Sequence, residues 1–348
     1  MEFLRPELDA LAAYHTPLAP GADKLNENEW PEDLPEHLKQ KLGLLFEQEL
    51  ATNRYPSADP GALKAEIAHY AGLTPQMVSL GNGSDELIRS VILATCLGGR
   101  GAVASAEPTF SMYGILARTL GVPYVPLERS ATDFSVALGS LRRAVGEMGV
   151  RVIFLANPNS PTGTPLPPEA LPVLRELPAL IVIDEAYFEF SGLTAAPLIP
   201  EWPNLIVLRT FSKAFRLAGL RVGYALATLP LAAALEKVRL PYNLSALSQR
   251  AALLALQHRD ELLAGVPALL AERDRIAAFL AARSDFRVWP SATNFVFAHP
   301  LTRPSEEIRA ALAERGSLVR ATGGGLRITA GTPAQNDRLL ANLTAVLG

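Results

Sequence analysis

Three apolar runs in the chain each end on a polar residue, and the three residues differ in chemistry. Ile153–Asn157 (IFLAN) ends on an amide, Leu180–Asp184 (LIVID) on an acid, and Leu205–Lys213 (LIVLRTFSK) runs on to an amine. If these runs are strands of one open α/β sheet, Asn157, Asp184 and Lys213 meet at its carboxyl edge, where such folds bind ligands. Any one of them alone could be a turn or cap residue. Lysine is scarce: only Lys24, Lys39, Lys41, Lys64, Lys213 and Lys237 occur, against 26 arginines. A free lysine titrates near about 10.4 and acts as a nucleophile near neutrality only when desolvation or nearby cations lower that value. Arg209, Arg216 and Arg221 surround Lys213 in sequence, so an amine that forms a Schiff base is one reading. The other is a lysine snorkelling over an apolar edge.

A second constellation suits an anion. Leu80–Ile88 (LGNGSDELI) sets glycines, Gly83 among them, before Ser84 and Asp85 at the expected start of a helix. The free N–H groups and positive dipole end of a helix bind phosphate, although an N-cap with acidic first-turn residues reads the same way. Thr210, Ser212 and Arg221 could add hydroxyl and guanidinium contacts. Phe110, in Glu107–Tyr113 (EPTFSMY), could stack on a flat ring or belong to the core.

The elements that must position these groups are short apolar runs alternating with amphipathic segments. Strands are expected at Ala102–Ser105, Pro123–Pro126, Val152–Ala156, Leu180–Ile183, Leu205–Arg209 and Val222–Ala225, with helices such as Leu87–Cys96 and Val136–Val145 between them. That alternation predicts an α/β fold, a mostly parallel sheet covered on both faces. Beyond about Pro241 the texture changes. Long helical stretches at Ser248–Leu263 and Val266–Arg283 lead into short strands at Phe286–Trp289 and Asn294–Ala298. A helix near Ser305–Arg315, two further strands and a helix from about Pro333 complete a smaller α+β unit. The expected division is an N-terminal arm over 1–30, a large domain over 31–250 and a small one over 251–348.

Composition excludes several classes. The 348 residues are 49% hydrophobic and 19% charged with a formal net charge of −3, so no basic excess points to nucleic acid. No run is long enough to span a membrane, and Glu2, Arg5, Glu7 and Asp9 do not make a secretory signal. Cys96 is the only cysteine, which excludes an internal disulfide and a thiolate cluster, and the five histidines show no metal-ligand spacing. A cytoplasmic protein without a metal is the expectation.

At Thr210–Tyr224 (TFSKAFRLAGLRVGY) the pieces form a larger pattern, which resembles the fold-type I pyridoxal-phosphate (PLP) aminotransferases. The blocks GNGSDELI, PTFSMY, NPNSPTG (Asn157–Gly163) and DEAYFEF (Asp184–Phe190) match in order, over roughly residues 24 to 332. More narrowly, Lys24–Pro31 (KLNENEWP), Asn53–Ser57 (NRYPS), Pro241–Ser245 (PYNLS) and Leu326–Leu340 (LRITAGTPAQNDRLL) resemble the histidinol-phosphate aminotransferases.

The resemblance implies roles. Lys213 would carry PLP as a Schiff base and shuttle the proton at Cα. Asp184 would pair with the pyridine nitrogen, Asn157 and Tyr187 would bond the ring 3′-oxygen, and Phe110 would stack on the ring. Gly83, Ser84, Asp85, Thr210, Ser212 and Arg221 would surround the phosphate. Tyr55 would reach the neighbouring subunit's cofactor, which implies a homodimer. Arg320 and Arg327 would clamp the substrate anion, with Tyr14 and Asn28 closing from the arm. The implied reaction transfers an amino group between L-histidinol phosphate and 2-oxoglutarate, in histidine biosynthesis. An aromatic or broad-specificity aminotransferase and a threonine-phosphate decarboxylase share the scaffold. A PLP-binding regulator would carry a DNA-binding module ahead of these blocks, and with KLNENEWP starting at Lys24 none is expected. Two departures stand out: the segment between Arg320 and Arg327 (ATGGGL) is short, and Phe110 stands where tyrosine is frequent.

Overall fold

Residues alternate across a strand with period two, so a run that is apolar at every position needs a core on both faces. In the computed structural model, which describes Phe3, Arg5 and residues 21–348, the runs satisfy that requirement. After a two-residue strand β1 (Asp23–Lys24), seven strands build the main sheet: β2 (Val78–Asn82), β3 (Ala102–Glu107), β4 (Tyr124–Glu128), β5 (Val150–Ala156), β6 (Leu180–Asp184), β7 (Leu205–Thr210) and β8 (Val222–Ala227). Their order is β2-β8-β7-β6-β5-β3-β4, and β8 alone runs antiparallel to its neighbours. Leu205 and Val207 face one core with Ile181, Ile183, Ile153 and Leu155. Ile206 and Leu208 face the other with Val182, Val152 and Phe154. Helices cover both faces, among them α1 (Glu36–Glu49), α2 (Gly61–Ala71), α3 (Ser84–Thr95) and α4 (Met112–Thr119).

A smaller antiparallel sheet follows, made of β9 (Phe286–Val288), β10 (Phe295–Pro300), β12 (Arg320–Thr322) and β13 (Gly325–Thr329) in the order β12-β13-β10-β9. The remaining strand, β11 (Ser317–Leu318), pairs in parallel with β1, which ties the segment after residue 21 to this part of the chain. Leu25 and Trp30 are buried there in a third core beside Tyr187, Phe295 and Ile328. Within the arm expected over 1–30, Leu25 and Trp30 are anchored in the core.

Other differences have local causes. Strand β2 was not expected, because VSLGN combines a polar residue, a glycine and an asparagine; its inward residues Val78 and Leu80 still bury. Helices α1 and α2 also went unread. The stretch Ser248–Leu263 is two helices, Ala246–Gln257 and Arg259–Leu263, because His258 leaves helical backbone at φ −110° and ψ 24°.

The last turns of β6 and β7 show what alternation does to polar residues. Asp184 and Glu185 are sequence neighbours, as are Arg209 and Thr210, and the members of each pair point to opposite faces. Glu185 and Arg209 meet on the face away from the site: Arg209 Nε donates to Glu185 Oε2 at 3.0 Å, with the side chains 2% and 0% exposed. Thr194 and the N–H of Ala195 complete the shell of Glu185, and the Arg209 guanidinium lies 3.6 Å over the Phe188 ring. Breaking a buried pair strands a charge in the interior, at a cost of roughly 3–5 kcal/mol. Arg209→Met is therefore expected to lower the denaturation midpoint markedly. Arg142→Met, which removes the exposed pair with Glu176, should leave the midpoint in place.

Candidate functional site

The carboxyl ends of β5, β6 and β7 open into a cavity of ≈ 470 Å³, closed from the other side by β12 and β13. That volume falls within the range of small-molecule sites, about 300–1,000 Å³. Asp184, Tyr187, Thr210, Ser212, Lys213 and Arg221 line it, as do Ser84, Asp85, Phe110, Asn28, Arg320 and Arg327. Gly83 and Asn157 do not line it, although each is joined to a residue that does. Alternation explains Asn157: Ala156 takes the cavity-facing position after Phe154, and Asn157 instead accepts from the N–H of Leu166 at 2.9 Å. Tyr55 lies away from the cavity, 82% exposed and stacked on Tyr242 at 4.7 Å. Tyr14 lies outside the described residues.

Lys213 follows β7 and turns inward, where its Nζ donates to the carbonyl oxygen of Glu27 at 2.7 Å. This is a lysine directed at the site, which overturns the snorkelling alternative. Burial lowers its pKa to about 8, and the Arg327 and Arg221 charges push the same way against Glu29 and Glu27. Of the three arginines that surround Lys213 in sequence, only Arg221 acts on it. Arg209 sits behind the sheet, and Arg216 stacks over Trp30 at 4.7 Å. The other cation in its field is Arg327, expected from the sequence only at the substrate, and it comes from the small sheet.

Asp184 is buried at the end of β6, with Oδ2 accepting from Tyr113 Oη at 2.8 Å and Oδ1 from the N–H of Ala186 at 3.1 Å. Burial raises its pKa to about 6, and those two donors oppose the rise. Tyr113 is itself fully buried and stacked on Phe154 at 5.0 Å. Sequence reasoning passed over it; its place three residues after Phe110, on the inner face of the first turn of α4, was the available signal. Glu27 was also missed, although it lies inside KLNENEWP.

The N-terminus of α3 makes the anion cradle. No side chain caps its first N–H groups, because the N-cap is Gly83 with φ 76°. A Cβ on Gly83 would stand 2.5 Å from Arg221 Nη2, so the guanidinium packs where a side chain would be. Arg221 is held in the left-handed region at φ 53°, and its carbonyl accepts from the N–H of Gly83 at 2.9 Å. That conformation is costly for a residue with a side chain and persists where the surroundings impose it. Arg221 reaches Ser212 Oγ at 3.4 Å and Asp85 Oδ2 at 3.3 Å, while the Ser212 N–H donates to Thr210 Oγ1. Gly223 has a related task, since a Cβ there would lie 2.5 Å from the Ser84 nitrogen.

Across the cavity, the short segment between Arg320 and Arg327 sets how the two arginines face one another. Gly323 and Gly324, at φ 58° and 79°, form a two-residue turn between β12 and β13. Both glycines at positive φ suit the type I′ geometry of tight hairpins. The register places Arg320 directly opposite Arg327. Like charges facing one another across a strand pair repel, and an anion between them relieves it. Arg327 donates to Asn26 O at 2.6 Å and Ser160 Oγ at 3.1 Å, and Arg320 meets Glu27 Oε1 at 3.3 Å. Asn28, also left-handed at φ 56°, donates to Tyr187 Oη at 2.7 Å.

One cluster brings together histidines that the sequence keeps apart. His37 and His258, far apart in sequence, both approach Glu261 on the surface, at 3.3 and 3.7 Å. Lys41 Nζ lies 3.2 Å from the other nitrogen of His258, a cation where a metal site would need none. Among the described residues, no helix is long and apolar enough to cross a membrane.

The sequence profile of the family "Aminotransferase class I and II" matches residues 23–343. A histidinol-phosphate aminotransferase of Gloeobacter violaceus is 62% identical over 344 residues, covering 99% of this chain and 97% of its own length. One from a Synechococcus strain is 49% identical over 349 residues, covering 100% and 99%. Among solved structures, the histidinol-phosphate aminotransferase of Sinorhizobium meliloti in complex with pyridoxal-5′-phosphate superposes with a TM-score of 0.87 at 26% identity, covering 100% of this chain and 98% of that one.

Two outcomes follow from the geometry. An amine must be neutral to attack, so reductive alkylation of Lys213 in the cofactor-free protein should rise with pH to half its maximum near pH 8. A free lysine-like amine in solution, as the reference, should react with a midpoint near about 10.4. Gly83→Ala should displace the Arg221 guanidinium and weaken inorganic phosphate binding by about tenfold or more, measured by calorimetric titration.

Proposed function

The chain belongs to the class I and II aminotransferase family, and on that premise we propose that it binds PLP and transfers an amino group between L-histidinol phosphate and 2-oxoglutarate, a step of histidine biosynthesis. The observation that carries the proposal is the convergence on one cavity of a desolvated amine, a buried carboxylate, an uncapped helix end and two facing arginines. When bound, PLP supplies an electrophilic carbonyl carbon and a ring that draws electrons from the reacting bond. The residues fit that group. Lys213, already lowered to about 8, would hold it covalently and, once released, take the proton from the substrate Cα.

Asp184 would face the ring nitrogen. Burial raises its pKa, and a cation placed beside it would restore the charge, so acid and protonated ring hold one another ionised. Tyr113 keeps that carboxylate oriented. The first N–H groups of α3, with Ser84, Asp85, Thr210, Ser212 and Arg221, would receive the cofactor phosphate, and Gly83 makes the room. Asn157 and Tyr187 would contact the 3′-oxygen and Phe110 would cover the ring.

Arg320 and Arg327 would clamp the substrate phosphate, since two guanidinium groups suit a dianion. Asn28, bonded to Tyr187, holds the segment that shields the cavity from water, and Tyr14 would act beside it. We propose further that the protein is a cytoplasmic homodimer in which Tyr55 reaches the partner's cofactor. The exposed rings of Tyr55 and Tyr242, with Leu240 and Phe46 also exposed, support that part.

Lys213→Ala is expected to abolish turnover and covalent retention of PLP after borohydride treatment. Normal retention would refute its role. In the unaltered protein, histidinol phosphate should be preferred by about 100-fold or more in kcat/KM over phenylalanine, and threonine phosphate should release no carbon dioxide. Indifference to the substrate phosphate would leave an aminotransferase of another specificity.

A further inference from the structure

We infer that Thr329 is a positioning residue: through Asn28 it orients the Tyr187 hydroxyl so that its proton is given to the 3′-oxygen of PLP. This rests on the reading above that Tyr187 contacts that oxygen. Thr329 ends β13 and does not line the cavity, whereas Asn28 and Tyr187 do. All three are buried, at 2%, 1% and 6% exposure. Each polar group among them therefore needs its partner within the protein or its ligand.

The hydroxyl of Thr329 makes two bonds to one residue. Its Oγ1 accepts from the backbone N–H of Asn28 at 3.0 Å and donates to Asn28 Oδ1 at 3.0 Å. The first bond has a fixed sense, because a backbone N–H only donates. The second uses the single hydroxyl proton. Turning the Asn28 amide over would leave that proton without an acceptor among the described residues, in a site closed to water. Asn28 thus keeps Oδ1 toward β13, and its Nδ2 donates to Tyr187 Oη at 2.7 Å. The backbone beneath is fixed: Asn28 sits at φ 56°, and its carbonyl accepts from Asn294 Nδ2 at 3.2 Å.

That sense passes on to the tyrosine. An oxygen that already receives the Asn28 amide proton is left to donate its own. Burial holds the hydroxyl above its ordinary pKa, so it keeps that proton, although Arg327, Asn28 and Ser160 oppose the rise. The Phe295 ring meets the Tyr187 ring edge-on at 5.2 Å and limits its swing. With the amide reversed, Asn28 would present Oδ1 and take the tyrosine proton itself, and the 3′-oxygen would lose its donor. Arg327 on β13 and Asp184 at the end of β6 act on the same hydroxyl by charge, and substituting Thr329 removes neither.

The test compares two cofactors on the protein freed of PLP: PLP itself and 3-deoxypyridoxal 5′-phosphate, which lacks the oxygen in question. Calorimetric titration gives the ratio of their affinities, and general damage to the site lowers both without moving the ratio. The unaltered protein is expected to prefer PLP by about tenfold or more. Tyr187→Phe sets the floor of that preference. Thr329→Val, which keeps the shape and removes the hydroxyl, should fall to the floor, while Thr329→Ser should hold the preference of the unaltered protein. Asn28→Asp offers Tyr187 an acceptor, should fall likewise, and carries the test if the valine variant does not fold. A full preference in Thr329→Val or Asn28→Asp, or equal loss in the valine and serine variants, would overturn the inference and leave the Tyr187 contact standing. An absent preference in the unaltered protein, or an unchanged one in Tyr187→Phe, would instead remove the contact between Tyr187 and the 3′-oxygen, and the inference with it.

Discussion

Strand alternation is the constraint on which the site depends. Two consecutive polar residues at the end of a strand cannot serve one face, so each functional group at the edge of the main sheet has a neighbour sent into the opposite core. At β6 and β7 those neighbours are Glu185 and Arg209, and they neutralise one another. Had either been apolar, the other would be an unpaired charge beneath the catalytic edge. The pair also spans adjacent strands, so it fixes their relative position where Asp184 and Thr210 emerge on the other side. A stability element and a functional element are built from the same four residues.

The site itself is assembled from groups that the fold displaces from their ordinary states. Lys213 and Asp184 are both displaced from their ordinary titration ranges by burial. Arg221 occupies a backbone region that only a well-fixed surrounding sustains. Arg320 faces a like charge across a strand pair. The charges among them call for a ligand of matching polarity: a carbonyl for the amine, a cation for the acid, an anion for the facing arginines. The segment Asn26–Asn28 meets Lys213, Arg320 and Arg327 through its own carbonyls and the Glu27 side chain.

Much of this was legible in the residues. Runs such as LIVID and LIVLRT are apolar at every position, a pattern that only a doubly covered sheet accommodates, and the strands stand where the runs stand. The order of the motif blocks was enough to place Lys213, Asp184 and Arg221 in one cavity. What escaped depends on distance in three dimensions. Arg327 lies more than a hundred residues from Lys213, and no local pattern reveals that it, rather than Arg209 or Arg216, lies in the field of the amine. Tyr113 looked like one more core aromatic, because a hydroxyl partner buried 71 positions away leaves no trace in spacing. The length of the Ala321–Leu326 segment says little about how Arg320 and Arg327 face one another. Its two adjacent glycines were the better guide, since they specify a tight turn and hence a register.

That turn bears on redesign of the protein. With only Gly323 and Gly324 between β12 and β13, the span between the facing guanidinium groups is set by backbone pairing and has no slack to adjust. Lengthening the connection to admit a bulkier ligand would shift the pairing by whole residues and send one arginine to the far side. Gly323 is further confined, since a Cβ there would lie 2.9 Å from Pro161. Directed evolution toward new ligands would therefore be channelled to the opposing wall, where Glu27, Phe110 and Thr109 can vary in size without disturbing a hydrogen-bonded ladder.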